Sequence, residues 1–385
     1  MKVSIITTAF PSHLGDQRGT FILEAARAIQ RAGADVSVLA MHSPGAKTRE
    51  TWDGIKIYRP RYLPDKWEIL QREGGGLPII WKKNPWSRLA IVPFLVVHTI
   101  QATRMALKSD VVHANWSLSA TAAWLGAWRH RRPIVATVQG SDMFQATKIP
   151  LVRRITQVTL KKIHRVLALS RSLADEVLAL GVSPEKVEII PNGVDIAKFR
   201  VGDEIRQPII LYVASLIERK GLIYLLQAFK EVLKTTPDAQ LIVIGDGPMR
   251  NKLETTTSSL EISFAVKFLG WQTQEQVSEW MQKARVFVLP SVEEGLGVVL
   301  LEALACGTPC VGSAVGGIPD VITPDVGRLV PPRDPLSLGE ALKFFMENPS
   351  WGQFSRNARK RAEDVYNWDQ IASKILTIYQ QVTSR

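Results

Sequence analysis

Residues 285–317 read RVFVLPSVEEGLGVVLLEALACGTPCVGSAVGG. The apolar run RVFVL is typical of a buried strand, GVVLLEALACG has the composition of a helix, and PCVGS returns to a strand. A glycine-containing loop at 295–297 separates the first strand from the helix. A strand, a glycine loop, a helix and a strand form a βαβ unit, whose two strands run parallel with a right-handed crossover. We therefore predict a parallel sheet around this stretch.

The same order recurs along the chain. VSIITTA at 3–9 reads as a strand, a loop with Gly15 and Gly19 follows, and FILEAARAIQRAG and DVSVLA continue as helix and strand. Further predicted strands are DVVHA, PIVATVQG and RVLALS in the first half, and PIILYVASL, AQLIVIGDG and VKFLG in the second. Strands that alternate with helices throughout predict an α/β protein with parallel sheets.

The length of 385 residues suits two domains. The Pro- and Gly-containing segment PNGVDIAKFRVGDEIRQP is the best linker candidate, so we predict Rossmann-like domains over 1–195 and 196–365. The last helix, within 366–385, is a candidate to pack back on the first domain. Two such domains facing each other leave a cleft, and ligands on parallel sheets bind at the carboxyl ends of the strands.

Composition narrows the class of protein. Hydrophobic residues make up 46% and charged residues 22%, as in an ordinary globular protein. Two cysteines, Cys306 and Cys310, supply neither a disulfide framework nor a metal-ligand spacing, which favours a reducing cytoplasm. The N-terminus lacks the features of a secretory signal, and the longest apolar run, 89–100, is too short to span a bilayer. We expect a cytoplasmic protein without a transmembrane helix.

The charge is distributed unevenly. The whole net charge of +12 falls within 1–195, because 196–385 contain 21 basic and 21 acidic residues. Two stretches of the first half contain no acidic residue, 74–109 and 143–174. In the second, helical spacing would place Arg154, Lys161 and Arg165 on one face. Such a field attracts phosphates, on an anionic membrane surface or on an acidic substrate; a solubilising surface is the alternative.

Glu294 and Glu302 flank the start of the helix in the opening stretch. Free N–H groups at a helix start, together with the helix dipole, favour a negatively charged ligand such as a nucleotide diphosphate. Glu294 precedes the helix and could accept hydrogen bonds from sugar hydroxyls, whereas Glu302 lies one turn or more inside and could hold ribose hydroxyls. The alternative, two solvated acids, fits poorly with the apolar surroundings of Glu302.

This stretch resembles the E-x7-E signature of the group-1 (family four) retaining glycosyltransferases of GT-B fold. The resemblance extends along most of the chain, through EIIPNGVDIAKF, LYVASLIERKGLIYLLQAF, AQLIVIGDGPMR, VKFLGW, GGIPDVI and GRLVPPRDP. It implies a hexosyltransferase that needs no cofactor and whose second domain binds the nucleotide-diphosphate sugar.

The resemblance also implies individual roles. Lys220 and Glu294 would be the catalytic pair, with Lys220 bound to the donor diphosphate. Ser215 occupies a position where the family often has arginine, and Arg219 is out of register with it. The remaining donor-binding candidates are Gly15, Gly19, Gly245, Asp246, Leu269, Gly295, Leu296, Gly297, Val298 and Glu302. Arg18, in the first glycine loop, is either an added charge or a solvated side chain.

The first domain would bind the acceptor. TVQGSDM resembles a family segment that usually contains histidine where this chain has Gln139, and DVVHANW resembles another in which Asn115 stands in place of histidine. The acceptor-binding candidates are Asn115, Gln139, Gly140, Ser141 and Asp142. His113 remains as a histidine of this region, and we interpret it as a hydrogen-bonded core residue rather than a general base. The tryptophans Trp81 and Trp86, in basic WKKNPWSR, are interpreted as a membrane-interface or acceptor-lipid contact.

No Asp-x-Asp pair and no GxxxxGK[ST] loop occur in the sequence, which argues for a site without metal and against an ATPase. The resulting hypothesis is a retaining, metal-independent transferase that moves a hexose-type sugar to a glycan or lipid-linked acceptor in cell-envelope polysaccharide or glycolipid synthesis. It would be cytoplasmic, with a peripheral position on the inner face of the membrane as an option. Alternatives are a retaining phosphorylase, a nucleotide-sugar epimerase, or a non-enzymatic nucleic-acid- or sugar-binding protein. The sequence indicates no nucleic-acid module and leaves the oligomeric state open.

Overall fold

The computed structural model describes residues 1–16, 18–70, 86–203 and 206–384, without the side chains of 86–88 and 145–148. Two compact units divide the chain. Unit 1 comprises Met1–Pro191 and Trp368–Arg385, and unit 2 comprises Asn192–Asn367. The division falls within a few residues of the predicted linker, and the last helix belongs to unit 1.

Unit 1 is built on one sheet. Its strands are β1 (Lys2–Ile6), β2 (Asp35–Leu39), β3 (Arg49–Trp52), β4 (Ile55–Tyr58), β5 (Val111–Asn115), β6 (Ile134–Val138), β7 (Arg165–Ala168) and β8 (Val187–Ile189). Among the described residues their order is β3-β4-β2-β1-β5-β6-β7-β8. All neighbours pair in parallel except β3 and β4, an antiparallel hairpin. Asp53 and Gly54 form its two-residue turn, both with positive φ.

The helices of unit 1 cover the sheet. They are α1 (Thr20–Arg31), α2 (Trp86–Ala106), α3 (Ser117–Leu125), α4 (Ala127–His130), α5 (Ser141–Lys148), α6 (Pro150–Lys162) and α7 (Arg171–Ala179), with α15 (Trp368–Thr383) from the chain end. The last helix packs on α1, and its apolar side chains join the core of β1 and β2. The predicted shared face of Arg154, Lys161 and Arg165 is wrong, because α6 ends at Lys162 and Arg165 begins β7.

Unit 2 repeats the design. Its parallel strands are β9 (Gln207–Val213), β10 (Gln240–Ile244), β11 (Val266–Gly270), β12 (Ala284–Leu289), β13 (Cys310–Ser313) and β14 (Gly327–Val330). Its helices are α8 (Leu222–Leu233), α9 (Arg250–Ser259), α10 (Gln274–Lys283), α11 (Val298–Ala305), α12 (Ile318–Val321), α13 (Pro335–Glu347) and α14 (Trp351–Val365). The strand order among the described residues is β11-β10-β9-β12-β13-β14. The strands are Val- and Ile-rich because both sheet faces are covered.

Helix α2 is longer than the sequence indicated. Its segment Leu89–Ala106 is long and apolar enough to cross a membrane, judged by length and composition alone. The helix nevertheless packs on α3 and α4 of unit 1. The helix would lose those contacts if it crossed a bilayer. That it does not span a bilayer therefore stays our prediction. Trp81 and the side chain of Trp86, interpreted as membrane contacts, lie outside the described residues.

Candidate functional site

The predicted donor-binding residues of unit 2 gather at one edge of its sheet. Ser215 and Lys220 follow β9, Gly245 and Asp246 follow β10, Leu269 lies near the end of β11, and the segment 294–298 follows β12. These four strands are adjacent in the sheet. Residues scattered over more than 80 positions of sequence therefore converge at the carboxyl edge, where ligands of parallel sheets bind.

The strand order reverses at the centre of this edge. Strands that follow β9 in the chain are added first on one side of it and then on the other. The first strand, β9, has β10 on one side and β12 on the other, so this is the switch point at which the binding crevice of an open parallel sheet lies. Lys220 comes from the first loop and Glu294 from the second, and their side chains form an ion pair. The two predicted catalytic residues are thus direct neighbours.

Glu294 is ionised although it is buried, with 9% of the residue exposed. Burial opposes the charge, but the charge and hydrogen bond of Lys220 outweigh it and hold the pKa of this carboxyl below its usual value. The Ser291 hydroxyl donates to the same carboxylate at 3.3 Å, and the Gly295 N–H donates at 3.2 Å. The carboxylate is therefore fixed in place.

Arg219 is a residue whose contribution sequence reasoning missed. Its guanidinium donates to the carbonyl of Glu293 at 3.4 Å, its own carbonyl accepts the N–H of Val292 at 2.7 Å, and its charge also lowers the pKa of Glu294. It therefore links the β9 and β12 loops and adds a second cation near the carboxylate. The signal in the sequence was the position of Arg219 next to Lys220. Arg219 was not assigned a role, because it is out of register with the position at which the family often has arginine.

Two glycines allow these loops to approach each other closely. A Cβ at Gly221 would lie 1.9 Å from the Pro290 carbonyl oxygen, and one at Gly316 would lie 1.7 Å from the Glu294 carbonyl oxygen. Both residues also have positive φ, at 71° and 53°. Only glycine fits both requirements without displacement. Lys220 and Glu294 therefore meet because their neighbours lack side chains.

The loop after β10 adjoins the loop after β9 in the same way. A Cβ at Gly245 would lie 2.1 Å from the Ala214 carbonyl oxygen, next to Ser215. Asp246 accepts from the N–H of Gly247 at 2.7 Å and pairs with Arg250 at 3.1 Å. The predicted positions thus share one continuous surface.

Helix α11 begins in this crevice without a capping side chain. Gly297, at its N-cap, has a left-handed conformation with φ 82°, and no side chain among the described residues caps the helix. Its first N–H groups therefore offer donors to an anion. Glu302, the fifth residue of α11, is partly buried, and burial raises its pKa to about 7. It is a carboxyl group that loses its proton near neutral pH.

In unit 1 the glycine loop follows β1. Gly15 has φ 94° with open space around it, while a Cβ at Gly19 would lie 2.7 Å from the Ala9 carbonyl oxygen. Arg18 pairs with Asp16 at 2.8 Å, so it is held within the loop rather than free in solvent. Burial opposes the charge of Asp16, but bonds from Arg18 and Ser12 keep its pKa well below the usual value.

The predicted acceptor residues lie together at the ends of β5 and β6. The Gln139 amide donates to Asn115 at 3.0 Å, and the Trp116 indole donates to Ser141 at 3.1 Å. Gly140 has φ 94° and allows the turn into α5. Asp142 is buried and accepts from the N–H groups of Ser117 at 2.9 Å and of Gln139 at 3.1 Å. This carboxylate holds the two loops together and does not point to a ligand role.

His113 is a core residue, as interpreted from the sequence. Its ring bonds to Tyr379 of α15 and, at 2.7 Å, to the hydroxyl of Thr137. Burial lowers its pKa to about 4. A neutral imidazole with both nitrogens bonded is unsuited to act as a general base.

One group in the described part of the chain has ligand types that could hold a metal ion: His42, Asp65 and Glu68. The ring of His42 contacts Glu68 at 2.5 Å through Nδ1 and the Ala46 carbonyl at 3.0 Å through Nε2. Both nitrogens are therefore engaged within the protein, which fits a structural histidine–glutamate pair better than a metal centre. The group belongs to unit 1, whereas the predicted catalytic pair belongs to unit 2.

Comparison with known proteins gives matches along the chain. A family model described as glycosyl transferases group 1 matches residues 195–365, and one described as glycosyltransferase family 4 matches residues 19–198. An uncharacterized glycosyltransferase of Methanocaldococcus jannaschii is 29% identical over 99% of this chain and 98% of its own length. The MMP α-(1→4)-mannosyltransferase of Mycolicibacterium hassiacum is 26% identical over 100% and 99%.

A solved structure supports the fold. The sucrose-phosphate synthase of Thermosynechococcus elongatus matches with a TM-score of 0.82 at 22% identity, over 100% of this chain and 99% of that one. This likeness identifies the two α/β units with parallel sheets as a GT-B fold.

Proposed function

The chain belongs to the group 1 glycosyltransferases, which use nucleotide-sugar donors, and from this premise we propose that it is a retaining, metal-independent hexosyltransferase. Unit 2 binds the nucleotide-diphosphate sugar. Unit 1 binds the acceptor, a glycan or a lipid-linked acceptor in cell-envelope polysaccharide or glycolipid synthesis. The enzyme is cytoplasmic.

The observation that carries this proposal is the Lys220–Glu294 pair beside the uncapped start of α11. A diphosphate placed there receives hydrogen bonds from helix amides and from the ammonium group of Lys220. As the bond between the sugar and the diphosphate breaks, negative charge grows on the leaving oxygen, and fixed donors stabilise it more than they stabilise the intact donor. Glu294, held by Lys220 and Ser291, is oriented to accept hydrogen bonds from sugar hydroxyls.

The same donors support the proposal of metal independence. A divalent ion usually neutralises a diphosphate when the protein provides carboxylates to hold the ion. Here the crevice after β9 and β12 offers Lys220, Arg219 and helix amides, and its one catalytic carboxylate is already paired with Lys220. Retention of configuration is what the family resemblance implies, with a leaving-group oxygen accepting the acceptor proton. It is compatible with a buried and engaged His113, which does not act as a base.

The proposal is tested with a panel of nucleotide sugars, scored by thermal shift and by slow donor hydrolysis in the presence of EDTA. We expect one donor to stabilise the protein and to be hydrolysed with the anomeric configuration retained, as read by NMR. Lys220→Ala and Glu294→Ala should each lower turnover by at least about 100-fold while the protein stays folded. Lys234→Ala is the matched control, since it removes an exposed lysine paired with Glu231.

Four outcomes would contradict the proposal. Turnover lost on chelation and restored by a divalent ion would exclude a metal-free site. Full activity of Lys220→Ala would exclude the proposed role of Lys220 in binding the diphosphate. A requirement for inorganic phosphate would identify a phosphorylase, and conversion of the donor without release of nucleotide would identify an epimerase.

A further inference from the structure

Helix α2 is rich in apolar residues, yet only 28% of Leu89–Ala106 is buried. An apolar helix face normally lies inside a protein core, in an interface or in a membrane, because water solvates it poorly. The outer side of α2 therefore needs an explanation that the two-unit fold does not provide.

The two sides of α2 are clearly separated. The inner side has a residue every four positions: Ala90, Phe94, His98, Ala102 and Ala106, all buried. The outer side consists of Leu89, Val92, Val96 and Ile100, which are 64%, 60%, 54% and 45% exposed. At about 100° per residue these four side chains fall within about 80° of one another. They form one continuous apolar stripe along the helix.

A neighbouring helix extends this stripe. A Cβ at Gly126, just before α4, would lie 2.0 Å from the hydroxyl of Thr103, so α4 abuts the last turns of α2. Next to Gly126 are Leu125 and Trp128, which are 48% and 76% exposed. Tryptophan is the side chain most suited to a boundary between apolar and polar surroundings.

The two segments that contain the stripe and its extension are basic. The segments 89–108 and 125–133 contain no acidic residue. The exposed basic residues of these segments are Arg104, Lys108, Arg129, Arg131 and Arg132. An apolar stripe on segments whose charged residues are all basic is complementary to a surface that offers acyl chains beneath anionic headgroups. A protein partner would need acidic residues in this surface to pair with its own basic residues.

We propose that the stripe of Leu89, Val92, Val96 and Ile100, with Trp128, is a membrane-docking face that inserts into the interfacial region of an anionic bilayer. The helix lies along the surface and does not cross it, since its inner side stays packed on unit 1.

Docking at a membrane would favour a lipid-linked acceptor for the proposed transferase, and this part of the inference rests on the proposed function. Helix α2 leads into β5, so its first turns lie at the carboxyl edge of the unit 1 sheet and its last turns at the opposite edge. Leu89 and Val92 are therefore on the same side of the sheet edge as Asn115 and Gln139. A face held at the membrane at that end suits an acceptor whose lipid anchor remains in the bilayer.

The test is flotation of the full-length protein with vesicles of neutral phosphatidylcholine or of phosphatidylcholine with 30% phosphatidylglycerol. We expect binding to the anionic vesicles that weakens several-fold when NaCl is raised from 0.1 to 0.5 M. Val96→Glu/Ile100→Glu should lower the affinity at least about tenfold. Phe264→Glu/Leu336→Glu is the matched control, because these unit 2 side chains are 77% and 73% exposed and should leave binding unchanged.

A second pair of variants and a second readout keep the outcomes distinct. Val96→Ser/Ile100→Ser introduces no charge and should weaken binding while thermal unfolding and donor hydrolysis stay at wild-type values. Equal binding of wild type and both stripe variants would overturn the proposal. So would a concentration-dependent dimer, seen by light scattering, that only the stripe variants abolish while vesicle binding is absent. Vesicle binding without turnover on any nucleotide sugar would refute the proposed function and leave the docking face standing.

Discussion

Gly316→Ala is expected to inactivate the enzyme although Gly316 has no side chain to offer a ligand. The new Cβ would lie 1.7 Å from the carbonyl oxygen of Glu294, and Cβ contacts below 3.0 Å essentially never occur. The backbone at Glu294 must therefore move by at least about 1.3 Å. A displacement of this size at a positioned group costs roughly 100-fold in rate, because the ion pair with Lys220 and the sugar contacts lose their alignment.

Stability should fall as well. Alanine at φ 53° costs about 1–2 kcal/mol relative to glycine, and the forced contact adds about 1–3 kcal/mol of overpacking. For a unit of this size the sum of about 2–5 kcal/mol corresponds to a fall of about 4–20 °C in Tm. The assay compares Tm and kcat of donor hydrolysis for wild type and Gly316→Ala at a temperature well below both transitions, so that the loss in rate is measured on folded protein.

Gly33→Ala is the control. Gly33 also has positive φ, 99°, but a Cβ there meets nothing within 4 Å. It should lose only the stability that the positive φ costs, about 1–2 kcal/mol, with an unchanged kcat. A kcat of Gly316→Ala within threefold of the kcat of Gly33→Ala would show that the close approach at Gly316 does not position Glu294.

Two further predictions concern titratable groups. Burial raises the pKa of Glu302 from 4.5 to about 7, so between these values the folded protein keeps a proton that the unfolded chain releases, and stability falls as the pH rises. Glu302→Gln should therefore be more stable than wild type by about 1–3 kcal/mol at pH 8 but not at pH 4; parallel unfolding curves would contradict the shift. His113→Asn should lower stability by about 1–3 kcal/mol, through its bonds to Tyr379 and Thr137, with kcat within threefold; a 100-fold loss of kcat would revive a general-base role.

The strand–helix alternation was predictable because parallel strands are buried on both faces and read as short apolar runs. The hairpin of β3 and β4 was missed, since its strands are short and polar in part. The Asp53-Gly54 pair was the available signal, because both residues adopt the positive φ of a tight hairpin turn. Helical spacing also misplaced Arg165, because spacing alone does not show where a helix ends.

The sequence indicated residues that the structure gathers at one edge of the unit 2 sheet, but it did not indicate their contacts with each other. Lys220 and Glu294 were assigned to one ligand, and their ion pair with each other was not foreseen. It depends on β9 and β12 being neighbours, a fact of sheet order and not of local sequence. The glycines Gly221 and Gly316 were likewise visible, yet their roles depend on a backbone that approaches from another loop.

The uneven distribution of charge corresponds to the two proposed tasks of the protein, donor binding and contact with an anionic surface. Residues 196–385 have no net charge, although unit 2 is the part proposed to bind a diphosphate. A few fixed donors at one crevice suffice there, since local geometry and a low dielectric constant set the energy of a buried anion. The entire excess of +12 lies in 1–195 and is therefore not needed for the donor. Five exposed basic residues of this half, Arg104, Lys108, Arg129, Arg131 and Arg132, belong to the segments of α2 and α4, where charge would act at longer range on an extended anionic surface. Net charge alone left a solubilising surface as an equal option; its combination with an exposed apolar stripe favours the membrane.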